Sequence, residues 1–251
     1  MPIGLGEAPK AARRGEPSYV WRFGQNRRLD MILRALPLDA RRILVDGCGI
    51  GLYVQHLAEL GYNAVGLDID FERIARGAAS GIDQLHVAAG EHLPYPEGAF
   101  DAVLSHEVIE HVVDDRLSAR EMIRILRPGG RIVLFCPNRL YPFETHGHYW
   151  RGKYRFGNTP LINYLPSAIR SHLAPHVRAY TTRGIRRLFN DPSVRVIAHT
   201  QIYPGYDNIV ARRPTLGRAL RAISYALERT PLRVFGLSHF LVAEKRHPEH
   251  R

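Results

Sequence analysis

The chain has 251 residues, room for one α/β domain with additions, and its 45% hydrophobic content supplies a core and excludes wholesale disorder. No apolar run approaches the ~20 residues of a membrane span, and the opening MPIGLGEAPKAARRGEP has no apolar signal-peptide core, so a cytoplasmic location is expected. The balance of 35 basic against 24 acidic residues leaves +11, which suits nucleic acid, anionic lipid or a phosphorylated substrate, but the excess is spread widely; Cys48 and Cys136 indicate neither a disulfide scaffold nor a zinc cluster.

Residues 1–17 read as a loose tail, and a helix is predicted over about 24–36, ending before Pro37. Residues 1–36 thus form a tail with a flanking or lid helix. The apolar run Ile43-Leu44-Val45 enters Asp46 and then glycines at alternate positions, Gly47, Gly49 and Gly51, with Cys48 between the first two. A periodic stretch over 52–60 follows and stops at Gly61. This is a buried strand, a tight glycine turn and a helix, where positive φ and close backbone approach suit a nucleotide-like cofactor.

Asn63 to Asp68 reads as a second strand ending in acid, with Asp68 placed where a carboxylate takes ribose hydroxyls. A helix through Phe71, Ile74 and Ala78 leads to a short third strand at Leu85 to Ala88. The turn-rich EHLPYPEG link precedes a central fourth strand through Phe100 to Leu104. HEVIEHVV spans His106 to Val113, with His111 expected on the following helix, and Arg116 to Leu126 is predicted helical. Arg127-Pro128-Gly129-Gly130 stops that helix, and strand five runs from Ile132 to Phe135.

Periodicity fails over 139–180, a block rich in tyrosine, proline and histidine, too long for a simple connection. We read it as a cap or substrate-recognition insert, with a helix within Pro160 to Leu173. Thr181 to Asn190 is the next core helix, Val194 to Ile202 a sixth strand, Thr215 to Glu228 an amphipathic helix and Phe240 to Ala243 a seventh strand. The final helix carries Leu216, Leu220, Ile223 and Leu227 on one face, for which packing within the chain is expected, a homodimer partner or a membrane surface being the other readings.

Four stretches, LVDGCGIG, VGLDID, EHLPYPEGAFDAVLSHEVIEHV and LRPGGRIVLFCPN, together resemble the class I S-adenosylmethionine-dependent methyltransferases, particularly their small-molecule branch. The resemblance covers 41–138 and implies a Rossmann-like, seven-stranded mixed sheet with helices on both faces and a cap after strand five. It divides the domain into a cofactor-binding half, 37–138, the insert, 139–180, and a C-terminal part, 181–251. It implies that Asp46, Gly47, Cys48, Gly49 and Gly51 line the methionine part of the cofactor and that Asp68 takes the ribose. Ile69 would pack on the adenine, Gly90, Glu91 and His92 would bracket its edge, and Ser105 with His106 would face cofactor and substrate. Two positions depart from the family pattern. Its usual first-strand acid falls on Val45, with Asp46 one residue displaced and so turned to the opposite face; its third-strand acid falls on Ala89.

The implied reaction is methyl transfer to oxygen on a small acceptor, aromatic, lipidic or sugar-derived, with S-adenosylhomocysteine as product. His106 and His146 are the candidate bases, since a hydroxyl acceptor must lose a proton and histidine is suited near neutrality. His146 lies in ETHGH; no HExxH or cysteine spacing supports zinc, and no metal site is assigned. The alternatives are an RNA or protein methyltransferase, which the charge favours although no RNA module is recognisable, and a non-catalytic cofactor-binding or scaffolding domain of the same fold.

Overall fold

The computed structural model describes residues 20–247; the expected N-terminal tail lies outside the described residues. The chain runs α1 (Phe23–Ala35), β1 (Arg42–Asp46), α2 (Leu52–Glu59), β2 (Asn63–Asp68), α3 (Phe71–Ala79), β3 (Leu85–Val87), β4 (Phe100–His106), α4 (Asp115–Ile125) and β5 (Leu126–Pro137). The insert holds β6 (Phe143–Glu144), β7 (His148–Trp150), β8 (Lys153–Arg155), β9 (Thr159–Pro160) and α5 (Ser167–Leu173). After it come α6 (Thr182–Leu188), β10 (Val194–Ile202), α7 (Asp207–Arg212), α8 (Pro214–Leu227) and β11 (Ser238–Lys245).

Seven strands form one sheet in the order β10-β11-β5-β4-β1-β2-β3. The five strands from β3 to β5 are parallel, and β11 enters antiparallel between β5 and β10. The order reverses between β1 and β4, so their C-terminal ends open a crevice, the usual ligand position of such sheets.

The inner parallel strands β1, β2, β4 and β5 are largely buried on both faces, which explains their apolar runs, while β3 at the edge is partly exposed. Leu44, Val103, Ile132 and Leu134 meet α4 through Ala119 and Met122. On the opposite face Ile43, Val45, Leu104 and Phe135 pack with Leu29 and Ile32 of α1 and Leu57 of α2. Asp114 caps α4, its Oδ1 accepting the Arg116 and Leu117 N–H groups at 2.9 and 3.0 Å.

Several expectations are corrected. β5 begins at Leu126 because Arg127 to Gly130 form a bulge, pairing shifting from Phe100↔Leu126 to Ala102↔Arg131. His111 lies in turns ahead of α4, since Asp114 starts that helix, so it is not helical. The helix expected within Pro160 to Leu173 is present as α5, preceded by a short 3-10 turn, Ile162–Tyr164, from which Pro166 separates it.

The final helix departs in part from expectation: of its apolar stripe, Leu220 and Leu227 are half-buried. Its buried residues are Gly217 and Ser224, while Leu216 and Ile223 are exposed. Polar anchoring turns it this way: Arg221 donates to the Gly205 carbonyl at 2.7 Å, Ser224 meets Tyr206 at 3.0 Å, and the adjacent Glu228 pairs with Arg27.

The insert is a small folded unit. β6 pairs with β9 and β7 with β8. Its centre is the buried Arg170, which donates to Glu144 at 2.6 Å, to Asn163 at 3.1 Å and to the Val177 carbonyl at 2.9 Å. Tyr180 and Arg178 tie it to the loop after β4, bonding the carbonyl of Ile109 at 3.0 Å and, through the Arg178 N–H, that of Glu110 at 3.0 Å.

Candidate active site

The turn after β1 is held in a shape that only glycines allow. Gly47 has φ +65°, and a Cβ there would lie 2.2 Å from Val108 Cγ2. Gly49, at φ +60°, donates its N–H to Asp68 Oδ2 at 2.9 Å, while the Asp70 N–H donates to Oδ1 at 2.8 Å. Asp68 is thus fixed at the end of β2 beside the turn, with burial pushing its carboxyl up and the two backbone N–H groups opposing that. Ile69, the next residue, is exposed, an apolar side chain waiting at the rim. Cys48 turns inward: a Cβ on Gly66 would meet its Sγ at 2.8 Å, and burial pushes its thiol up. Its side chain therefore packs behind the turn.

Asp46 and Ser105 are register partners across β1 and β4 on the α4 side of the sheet. Both are buried, and neither Asp46 Oδ2 nor Ser105 Oγ has a hydrogen-bond partner. Burial, followed by the charges of Asp68 and Glu91, raises Asp46 to about 7. Ser105 has no exposed surface, so it faces Asp46 and not an open cleft. Gly90 completes this layer, since a Cβ there would stand 3.1 Å from Asp46 Oδ1. The Glu91 carboxylate is also turned inward, accepting the Val113 N–H at 2.7 Å, whereas His92 is exposed. The Glu91 side chain is thus directed at the segment ahead of α4.

His106 points to the opposite side of the sheet, among the rings of Tyr53 at 5.0 Å and Phe135 at 5.2 Å. Its Nε2 accepts from the Arg28 guanidinium at 2.6 Å, so that lone pair is occupied. The same nitrogen of Arg28 donates to Glu107 Oε1 at 2.9 Å, and its other terminal nitrogen to Ser238 Oγ at 3.0 Å. Burial, then the Arg28 charge, lowers His106 to about 3. Burial opposes ionisation of Glu107, but the Arg28 and His106 charges overcome it and bring its carboxyl down to about 2. Glu107 itself adopts φ +57°, a left-handed conformation of a kind concentrated at functional sites. At neutral pH the mouth of β4 therefore holds a neutral His106, a carboxylate and a guanidinium.

His146 sits in the insert and does not join His106. Its Nδ1 is 3.4 Å from Glu144 Oε1 and its Nε2 3.8 Å from Glu110 Oε1, with the His111 ring 5.3 Å away. Arg28 and Ser238 were not singled out as site residues from the sequence, since they lie 78 positions before and 132 after His106 and no local pattern links them.

Comparison with known proteins agrees with this geometry. Residues 44–134 match a family described as "Methyltransferase domain". A probable S-adenosylmethionine-dependent methyltransferase of Mycolicibacterium smegmatis is 35% identical over 102 residues, covering 40% of this chain and 39% of the relative. A ubiquinone biosynthesis O-methyltransferase of Xanthomonas oryzae is 34% identical over 118 residues, covering 45% and 49%. The chain thus spans less than half the length of each of these curated relatives. Among solved structures, an S-adenosylmethionine-dependent methyltransferase from Mesorhizobium loti superposes with a TM-score of 0.61 at 20% identity, covering 86% of this chain and 96% of the other. Residues 44–134 are thus similar to the methyltransferase-domain family, and the chain has the fold of the class I S-adenosylmethionine-dependent methyltransferases.

Proposed function

We propose that the protein transfers the methyl group of S-adenosylmethionine to the oxygen of a small acceptor bearing an acidic, phenol- or enol-type hydroxyl. The observation that carries the acceptor class is the chemistry at the mouth of β4. His106, lowered to about 3, and Glu107, lowered to about 2, are too weak as bases to deprotonate an ordinary alcohol. Arg28, fixed between them, supplies positive charge where an already acidic acceptor would place its oxyanion. The rings of Tyr53 and Phe135 around His106 suit a planar acceptor.

The residues fit the cofactor. The Gly47-to-Gly51 turn is a tight, positive-φ backbone packed by Val108, Ile82 and Leu85, and Asp68 stands beside it as ribose acceptor with Ile69 as apolar rim for the adenine. Gly90 offers its backbone to the adenine edge, whereas the His92 N–H is already donated to the Ala89 carbonyl at 3.0 Å. When bound, the cofactor supplies an electrophilic methyl on a sulfonium. The chain's part is to align the acceptor in line with that bond and to exclude water. In this reading His106 and Glu107 are positioning residues acting through Arg28, and the insert over 139–180 selects the acceptor.

The test is to incubate the protein with S-adenosylmethionine and a panel of phenols, enols, aliphatic alcohols, amines and RNA, following S-adenosylhomocysteine. Turnover confined to phenols or enols is the expected result. Turnover confined to amines or RNA, or none with any hydroxyl, would overturn it.

A further inference from the structure

The loop after β4 and the insert bring three metal-ligating side chains to one point, apart from the glycine turn. Glu110 is 1% exposed, and neither carboxylate oxygen has a hydrogen-bond partner. Two histidines face it: Glu110 Oε1 lies 3.8 Å from His146 Nε2 and 4.0 Å from His111 Nε2. One ligand atom from each of the three residues falls within 4.8 Å of the others.

Both rings are oriented by their second nitrogens. The Nδ1–H of His111 donates to the His176 carbonyl at 3.3 Å, which leaves Nε2 as a bare acceptor. His146 Nδ1 stands beside the Glu144 carboxylate at 3.4 Å, and Glu144 is anchored in turn by Arg170. A carboxylate or carbonyl behind each histidine is the usual outer arrangement of a metal-binding histidine, fixing its tautomer and raising its basicity.

We infer that Glu110, His111 and His146 bind one divalent cation of the zinc class. Two imidazole nitrogens and one carboxylate oxygen are a donor set for such borderline ions, and are less suited to magnesium or calcium, which prefer oxygen ligands. Zinc ligands sit at ~2.0–2.1 Å, so the three groups draw together as the ion enters. The loop after β4 supplies two of them and the insert one, so closure clamps the insert onto the sheet. Three protein ligands leave a fourth position for water or another oxygen ligand. No local metal motif marks the set in the sequence, since His146 lies 35 residues beyond His111. The inference stands independently of methyl transfer, since it is read by metal binding alone.

The test uses the full chain, stripped of metal with a chelator and titrated with zinc and with cobalt(II). One equivalent should bind, with cobalt giving the intense visible absorption of a low-coordinate site. Cobalt should shift the NMR ring signals of His111 and His146 strongly and those of His86 and His172 little. Glu110→Gln and His146→Asn should each weaken zinc binding by about 100-fold or more, while His86→Asn binds as the unaltered protein does. Substoichiometric binding, a six-coordinate aqua-type cobalt spectrum, or ring shifts elsewhere would overturn the assignment. So would folded variants at Glu110 and His146 that retain full affinity; should either fail to fold, the ring shifts of the unaltered protein decide alone.

Discussion

Arg28 of α1 and His106 of β4, 78 residues apart, meet at 2.6 Å with the guanidinium donating to the imidazole Nε2. This contact joins the N-terminal helix to the crevice of the sheet. After burial, the larger cause, it also helps to lower the pKa of the group that the sequence nominated as a base.

Its consequence is a defined pH response. His106 is lowered from 6.5 to about 3 by burial and then by Arg28, so the native state binds fewer protons than the unfolded chain between those values. Stability from this group is fully present above about pH 6.5 and is lost as pH falls toward 3. NMR titration of the His106 ring should show it neutral at pH 5. Arg28→Met should raise its pKa and, in the methyltransferase reading, lower kcat more than it raises KM for the cofactor.

Asp46 has the opposite sign. Its carboxyl is raised from 3.8 to about 7 by burial and by Asp68 and Glu91, so the native state holds a proton that the unfolded chain has released. Stability falls as pH rises from about 4 to about 7. Asp46→Asn should therefore raise the melting temperature at pH 8, by an amount worth on the order of a few kcal/mol, and change it little at pH 4. Thermal melts at the two pH values check this.

Asp68 fixes the turn and, as proposed, the ribose. Asp68→Asn keeps an oxygen for one of the two N–H groups at Gly49 and Asp70, so the fold should persist. Loss of a charged hydrogen-bond partner, about 1.5–3 kcal/mol, should weaken S-adenosylmethionine binding by roughly 10- to 150-fold in calorimetry.

Gly47 and Gly61 separate two effects. Both have positive φ, but a Cβ at Gly47 meets Val108 at 2.2 Å, whereas at Gly61 it meets nothing within 4 Å. Gly61→Ala should cost only the backbone strain of about 1–2 kcal/mol. Gly47→Ala should cost more in denaturant unfolding and also disturb cofactor binding, because Val108 must move.

The sheet was legible because the inner parallel strands are apolar runs closed by turn signals, β2 occupying the expected Asn63–Asp68, and because the antiparallel β10 alternates over the expected Val194–Ile202. The displaced acid was legible too, since strand periodicity puts Asp46 opposite Val45, and the structure places Asp46 beside Ser105 on the α4 side. What was not legible depends on partners distant in sequence. The arrangement of Arg28, His106 and Ser238 needs three segments to converge, and the orientation of α8 is set by polar anchors, Arg221 and Ser224, which overrule part of its apolar stripe. The insert escaped a periodicity reading because a buried ion pair, Glu144 with Arg170, organises it in place of an apolar face.

That pair gives a further expectation. Arg170→Met leaves Glu144 buried without its cation, a loss of about 3–5 kcal/mol. The damage should stay within 139–180, so limited proteolysis should cut the insert first while the sheet's amide protection persists.

The central claim is that the turn from Gly47 to Gly51, with Asp68, holds S-adenosylmethionine. Calorimetric titration of the full chain with S-adenosylhomocysteine tests it most directly. Saturable one-to-one binding, weakened in Asp68→Asn and Gly47→Ala, is the predicted result. No heat of binding, or equal affinity in the folded variants, would contradict it.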